Sequence, residues 1–242
     1  ERNLAESIKK YNLESKVVSL EELVKKSEII FIGVQTPSLK NGSFGIQYLE
    51  QAVKNISRID RTRPCVINST VPPGSCRRLS KHVDTLYYNP LYIRLGSAID
   101  DIIEIGFVMI GSRDGSANDL DAFWKTVSKG EVLVSTWETV EVTKLMLNCI
   151  MTMNISMINK IGEVYRKSGT DFRYLAKLLP SDFRFRLENF KPGLGYGGPC
   201  LPRDNRMMSY YCNNIGVNPN IFGEVDRINN EQISRMLGIC SK

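Results

Sequence analysis

The residue types able to do covalent chemistry concentrate in one stretch, Phe190-Lys-Pro-Gly-Leu-Gly-Tyr-Gly-Gly-Pro-Cys200-Leu-Pro-Arg-Asp204. Four glycines within six residues permit positive φ and close approach of a ligand to the backbone, and a thiol follows at once. Pro199 and Pro202 stiffen the segment that presents the sulfur. Asp204 is expected to open a helix over 205–213 and to cap its free amides. That places Cys200 near a helix N-terminus, where a thiolate is stabilised. Taken by itself, the stretch also reads as a glycine-rich turn with an incidental cysteine. Gly193, Gly195 and Gly198 satisfy the dinucleotide spacing G-x-G-x-x-G, but that fingerprint must follow a strand and enter a helix directly. Here it follows Asn189-Phe-Lys-Pro and precedes Pro199, so the dinucleotide reading is rejected for this loop.

The elements that must position this loop are of two kinds. A polar helix over 1–14 and a short strand at Lys16-Val-Val18 precede Ser19, which has the form of an N-cap, with Glu21 and Glu22 in the first turn behind it. Glu28-Ile-Ile-Phe-Ile-Gly-Val34 is a continuous apolar run of the kind buried on both faces of a parallel sheet. A helix over 46–56 follows. Further strands are expected at 65–69, 85–88, 106–110 and 131–134, with helices at 75–81 and 117–127. Alternating strands and helices predict an α/β fold, part of a doubly wound parallel sheet. Ligands of such sheets sit at the carboxyl ends of the strands, where Thr36-Pro37, Ser69-Thr70 and Asn89-Pro90 fall.

From Glu138 the period changes. Val142, Leu145, Cys149, Met153, Ser156 and Ile161 recur at helical spacing, which predicts one long helix, kinked at Gly162. Lys144 and Asn148 are four residues apart and share a face of it. Helices over 171–178, 205–213 and 222–237 complete an all-helical second domain, so the chain reads as 1–135 and 136–242. The apolar stripe on the long helix exceeds what about a hundred residues can cover, which predicts a homodimer along that helix.

Composition sets the outer bounds. The apolar fraction of 42% and charged fraction of 24% over 242 residues are those of a globular protein with a substantial core. No run approaches a membrane span and no leader pattern opens the chain, which reads as cytoplasmic. The net charge of +6 is scattered rather than gathered with aromatics into a stripe, which argues against nucleic acid and fits an anionic small molecule. The six cysteines show no CxxC pair and no metal-ligand spacing, so free thiols are expected. Lone His82 reads as structural.

The wording Gly-Tyr-Gly-Gly-Pro-Cys-Leu-Pro-Arg-Asp resembles the nucleophile loop of the UDP-glucose/GDP-mannose 6-dehydrogenase family. Ile29–Ser38 with Asn41-Gly-Ser43 is similar to that family's I-F-I-x-V-x-T-P-S followed by D-G-S. Asn68–Gly74 is similar to its S-T-V-P-P-G, Asn89–Asp101 to its N-P-E-F-I segment, and Glu138–Asn148 to the E-x-A-E-x-x-K-x-x-x-N of its central helix. The resemblance covers nearly the whole chain. It implies the later part of an NAD-binding domain and a helical dimerisation domain, without the glycine-rich βαβ unit that opens the family's fold or the domain that closes it.

The resemblance also implies roles. Cys200 would be the nucleophile of a two-step, NAD-dependent oxidation of a sugar C6 alcohol, UDP-glucose to UDP-glucuronate in type, through a thiohemiacetal and a thioester. Lys144 and Asn148 would stabilise the oxyanion, Asp204 would order a water, and Thr70 would contact water and cofactor. Thr36, Pro37 and Arg203 would touch NAD; Arg184, Tyr92 and Gly197 would touch the nucleotide sugar. Three departures stand out. Leu91 replaces a carboxylate that helps activate water in the family, Leu95 replaces a second Glu found in many members, and Asn154 replaces a basic residue. The alternative reading is a non-catalytic dimeric remnant serving as a binding or scaffold module.

Overall fold

The computed structural model describes residues 17–93, 106–182 and 191–240, with Lys9, Asp101, Ile102 and Glu104 besides. They divide into two compact units, one comprising the chain to Pro37 and Phe44–Lys144, the other Ser38–Ser43 and Leu145–Lys242.

The first unit is built on a five-stranded sheet with the order β1 (Ile30–Ile32), β2 (Cys65–Ile67), β3 (Leu86–Tyr88), β4 (Phe107–Ser112) and β5 (Glu131–Thr136). Helices α1 (Leu20–Lys26), α2 (Gln47–Asp60), α3 (Ser75–Leu79) and α4 (Asn118–Val127) alternate with them. Alternate residues along each strand feed opposite faces, as the pleat requires. Ile30, Ile32, Cys65, Ile67, Leu86 and Tyr88 pack with Leu49, Val53 and Ile56 of α2 and Cys76 and Leu79 of α3. Val66, Tyr87, Val108 and Ile110 pack on the other side with Leu120 and Trp124 of α4. Helices on both faces make the sheet doubly wound.

Two expectations are corrected here. The sheet is not wholly parallel: β1–β2, β2–β3 and β4–β5 are, but β4 meets β3 antiparallel at Tyr88 and Gly111. An antiparallel neighbour needs no crossover helix, and no apolar run distinguishes the two senses. Gly111 is a glycine because a Cβ there would lie 3.1 Å from the Trp137 backbone and 3.2 Å from Val140. Val17 and Val18 belong to no strand and are exposed, at 86% and 41%. They run directly into Ser19, whose hydroxyl caps α1 by accepting from the Glu22 amide at 3.2 Å.

The second unit is helical. Its first element is the greater part of α5 (Trp137–Lys167), a 31-residue helix, and the division between the units falls after Lys144. The helix runs unbroken through Gly162, where a kink was expected. A Cβ at that position would come within 2.5 Å of the Pro192 Cβ, so the missing side chain makes room for the segment leading into the glycine loop. Then follow α6 (Phe172–Leu178), capped by Asp171, a short 3-10 turn (Leu179–Ser181), α7 (Leu201–Ile215) and α8 (Ile221–Cys240). No described helix is long and apolar enough to cross a membrane.

Candidate functional site

Within the α/β unit, the carboxyl ends of β1 and β2 are tied by hydroxyls. Ser69 Oγ accepts from the Val34 amide at 2.8 Å and donates to the Val34 carbonyl at 2.6 Å. Thr36 Oγ1 donates to the Thr70 carbonyl at 2.8 Å. Thr36 is buried, Thr70 is half-buried and Pro37 is exposed. Asn68 and Asn89 continue the lacing to the next strands, donating to the carbonyls of Asn89 at 2.6 Å and Met109 at 2.9 Å.

Lys144 closes this unit. Its ammonium donates to the Leu91 carbonyl at 2.7 Å and lies 3.8 Å from the centre of the Tyr92 ring, a cation over a π face in a site only 7% exposed. Tyr92 in turn packs 5.0 Å from the Phe107 ring. Sequence reasoning paired Lys144 with Asn148 and missed Glu141, one turn earlier. Glu141 is fully buried, and its carboxylate accepts from the Gly74 amide at 2.5 Å and the Cys76 amide at 2.7 Å. Burial pushes this carboxyl up, while the two amides at the start of α3 draw it back. The signal was present: Glu141 stands in line with Leu145 and Cys149 on the buried stripe of α5.

Within the helical unit, Cys200 is itself the N-cap of α7, and Pro202 occupies the first turn. The helix therefore begins four residues before the expected 205–213, and Asp204 does not open it. Two prolines hid the start, because Pro202 is tolerated in the first turn where its missing amide costs nothing. Asp204 is 3% exposed inside the first turn and accepts from Asn148 Nδ2 at 2.7 Å. Arg203 is half-buried beside it. Gly198, Pro199, Pro202, Arg203 and Arg206 line a cavity of about 430 Å³ together with the segment at Ser38–Gly42.

The glycine loop is held by three side-chain amides that the sequence analysis did not single out. Asn159 of α5 accepts from the Gly193 amide at 2.8 Å and donates to the Leu194 carbonyl at 3.2 Å. Gln232 of α8 donates to the Gly193 carbonyl at 2.6 Å. Asn229 of α8 accepts from the Tyr196 amide at 2.7 Å and donates to the Tyr196 carbonyl at 3.0 Å. Positive φ is needed only at Gly198 (+79°) in this loop. Gly195 serves by close approach, since a Cβ there would collide with the Asn229 side chain.

Five cysteines fall among the residues whose side chains are described, all free; Cys200 is exposed and Cys65, Cys76, Cys149 and Cys212 are buried. Burial pushes the Cys65 and Cys149 thiols up to about 12 and raises those of Cys76 and Cys212. The structure thus brings Asn148 to Asp204, Lys144 to Tyr92 and Thr36 to Thr70. Gly197 is exposed on the loop, and Arg184 lies outside the described residues.

Residues 1–128 match the model of the UDP-glucose/GDP-mannose dehydrogenase family, NAD binding domain, and residues 138–231 match that of its central domain. The chain belongs to this family. The UDP-glucose 6-dehydrogenase of Rickettsia bellii is 28% identical over 226 residues, which cover 89% of this chain and 52% of the relative. The GDP-mannose 6-dehydrogenase of Pseudomonas putida is 28% identical over 231 residues, covering 88% and 52%. A solved UDP-glucose dehydrogenase from the archaeon Pyrobaculum islandicum superposes with a TM-score of 0.79 at 29% identity, over 89% of this chain and 53% of that one. The chain thus spans about half the length of these family members. NAD is the cofactor of the matched first domain. The residues present fit part of that group: the laced carboxyl ends of two adjacent parallel strands, with Pro37 and Thr70 accessible, are where such sheets receive a nucleotide.

Proposed function

We propose that this chain carries the catalytic-cysteine and partial cofactor machinery of a nucleotide-sugar 6-dehydrogenase, acting on UDP-glucose or a close analogue. The observation that carries the reading is the contrast between Cys200, exposed at the N-cap of a 15-residue helix, and four buried thiols. NAD, when bound, supplies the hydride acceptor for both oxidations, with Thr36, Pro37, Thr70 and Arg203 toward it. Cys200 adds through its sulfur to the C6 carbonyl formed by the first oxidation, giving a thiohemiacetal. The second oxidation leaves a thioester, which water cleaves to the carboxylate with return of the proton to the thiol. Lys144 supplies fixed positive charge and Asn148 an amide donor for the oxyanion. The Asn148 amide is already oriented by Asp204. Leu91 offers no carboxylate for the hydrolytic water, so Asp204 orders it. Tyr92, Gly197 and Arg184 are assigned to the sugar nucleotide by the family resemblance.

A homodimer belongs to this reading. Ile150, Met157 and Val164 recur every seven residues on α5 and are 50%, 46% and 64% exposed. Leu147, Asn154 and Ile161 each stand three residues before one of them, so the helix presents an uncovered heptad seam. Light scattering should return twice the 27.4 kDa chain mass, and Met157→Asp should halve it.

Limited alkylation at neutral pH with peptide mapping tests the site. Cys200 should label first, and UDP-glucose with NAD should protect it. Failure of calorimetry to detect either ligand, with the dimer intact, would favour the non-catalytic scaffold.

A further inference from the structure

We infer that Asn229, assisted by Asn159 and Gln232, is a positioning residue for the nucleophile. The inference rests on Cys200 filling that role. A glycine-rich loop has no side chains with which to fix itself, and each glycine adds backbone freedom. Here five backbone groups of residues 193–196 are bonded by the three amides. Tyr196 closes this anchor: its ring is 4% exposed and its hydroxyl donates to Asp226 at 3.4 Å.

A second anchor lies downstream. The Asp204 amide donates to the Cys200 carbonyl at 2.9 Å, the first bond of α7. That helix is pinned through Asn148 to Asp204 at 2.7 Å, Thr152 to Asn205 at 3.0 Å, and Asn205 to the Phe222 carbonyl at 2.8 Å. Cys200 therefore hangs between a clamped Tyr196 and a clamped helix start, with only Gly197-Gly198-Pro199 bridging them. Gly198, at φ +79°, makes the turn. Losing the upstream clamp frees the sulfur's direction without unfolding the helix. The Asn229 side chain also dictates its neighbour: it occupies the space a Cβ at Gly195 would need.

The test is the rate of Cys200 alkylation by iodoacetamide as a function of pH, beside amide exchange at Tyr196 and thermal stability. Wild type is compared with Asn229→Ala, Asn229→Asp, Gly195→Ala and the double variant Gly195→Ala/Asn229→Ala. Asn229→Ala removes both hydrogen bonds to Tyr196, and loss of the one that the Tyr196 amide donates should speed its exchange about fivefold. The Cys200 rate profile should shift along the pH axis in Asn229→Ala and in Gly195→Ala. The double variant should be no worse than either single one, because the collision partner is gone. Asn229→Asp keeps the acceptor for the Tyr196 amide and should fall between. Should Asn229→Ala not fold, Gln232→Ala and Asn159→Ala probe the same clamp at Gly193. Additive losses, or an unmoved Cys200 profile despite faster Tyr196 exchange, would overturn the positioning role while leaving Cys200 as nucleophile. A wild-type Cys200 no more reactive than the buried thiols would sink both.

Discussion

In the α/β unit the two clusters packed on the sheet are hydrocarbon, Val24, Leu49 and Ile67 on one face and Val66, Ile110 and Leu120 on the other, and buried polar groups such as Thr36, Ser69, Asn89 and Glu141 lie at strand ends and helix junctions. The helical unit buries Leu145, Met207 and Met208, but alongside them Thr152, Ser156, Asn159, Asn205, Asn229 and Gln232, each 5% exposed or less. Apolar burial is strong and non-directional, so it fixes a fold without fixing where any one backbone group lies. Buried amides contribute less per contact, but each bond has an angle and a partner, and an unpaired one is costly. The unit carrying Cys200 has given up part of its hydrocarbon interior for groups that dictate position.

The largest effect that probes this contrast is expected in the sheet. Ile67 is fully buried at the carboxyl end of β2, and Ile67→Ala should cost about 2–5 kcal/mol through lost transfer energy and the cavity left behind. Denaturant melts followed by segment-resolved hydrogen exchange should place that loss in the α/β unit, with exchange in α7 and α8 unchanged. A loss spread evenly through both units would break the comparison.

A smaller effect with a different signature is expected from Asn205→Ala. Asn205 is fully buried, donates to the Phe222 carbonyl and accepts from Thr152. Its removal should cost roughly 1–3 kcal/mol by leaving polar partners unsatisfied. It should also loosen α7 against α8 and alter the labelling of Cys200, which Ile67→Ala should leave alone. Equal labelling in the two variants would mean that the amides hold nothing in particular.

The same division explains what could be read from the chain. Continuous apolar runs such as Ile29–Val34 and Cys65–Ile67 announce buried strands, and the helical period after Glu138 announces α5, because both patterns are written in hydrocarbon. The sense of β4 relative to β3 is carried by one bridge at Gly111, which no pattern encodes. The loop and Cys200 were visible because glycines and a thiol are chemically conspicuous. Asn159, Asn229 and Gln232 were not: an amide on a helix looks the same whether it faces solvent or grips a loop. The burial of Glu141 was legible from its place in line with Leu145 and Cys149, but its partners were not, since Gly74 and Cys76 lie more than sixty residues away. The start of α7 was misread because Pro202 marks a break in one context and a first turn in another.

The least effect is electrostatic and belongs to the helical unit. Glu163 on α5 meets Lys160 at 3.1 Å, Lys167 at 3.1 Å and Arg235 of α8 at 2.9 Å, and hydrogen bonds from the two lysines, then the Arg235 charge, hold its carboxyl down at about 2. A carboxylate whose folded value lies below its ordinary 4.5 contributes stability that is present above pH 4.5 and lost as pH falls toward about 2. Lys160 and Lys167 are 36% and 74% exposed, so solvent screens their share, whereas Arg235 at 17% is shielded. Glu163→Gln should therefore cost at most about 1 kcal/mol near neutral pH, a cost that shrinks in high salt and vanishes at about pH 2. Denaturant midpoints of the two proteins across that range give the measurement. The curves should converge only below pH 4.5, and convergence already near neutrality would show that Arg235 joins α8 to α5 by packing alone.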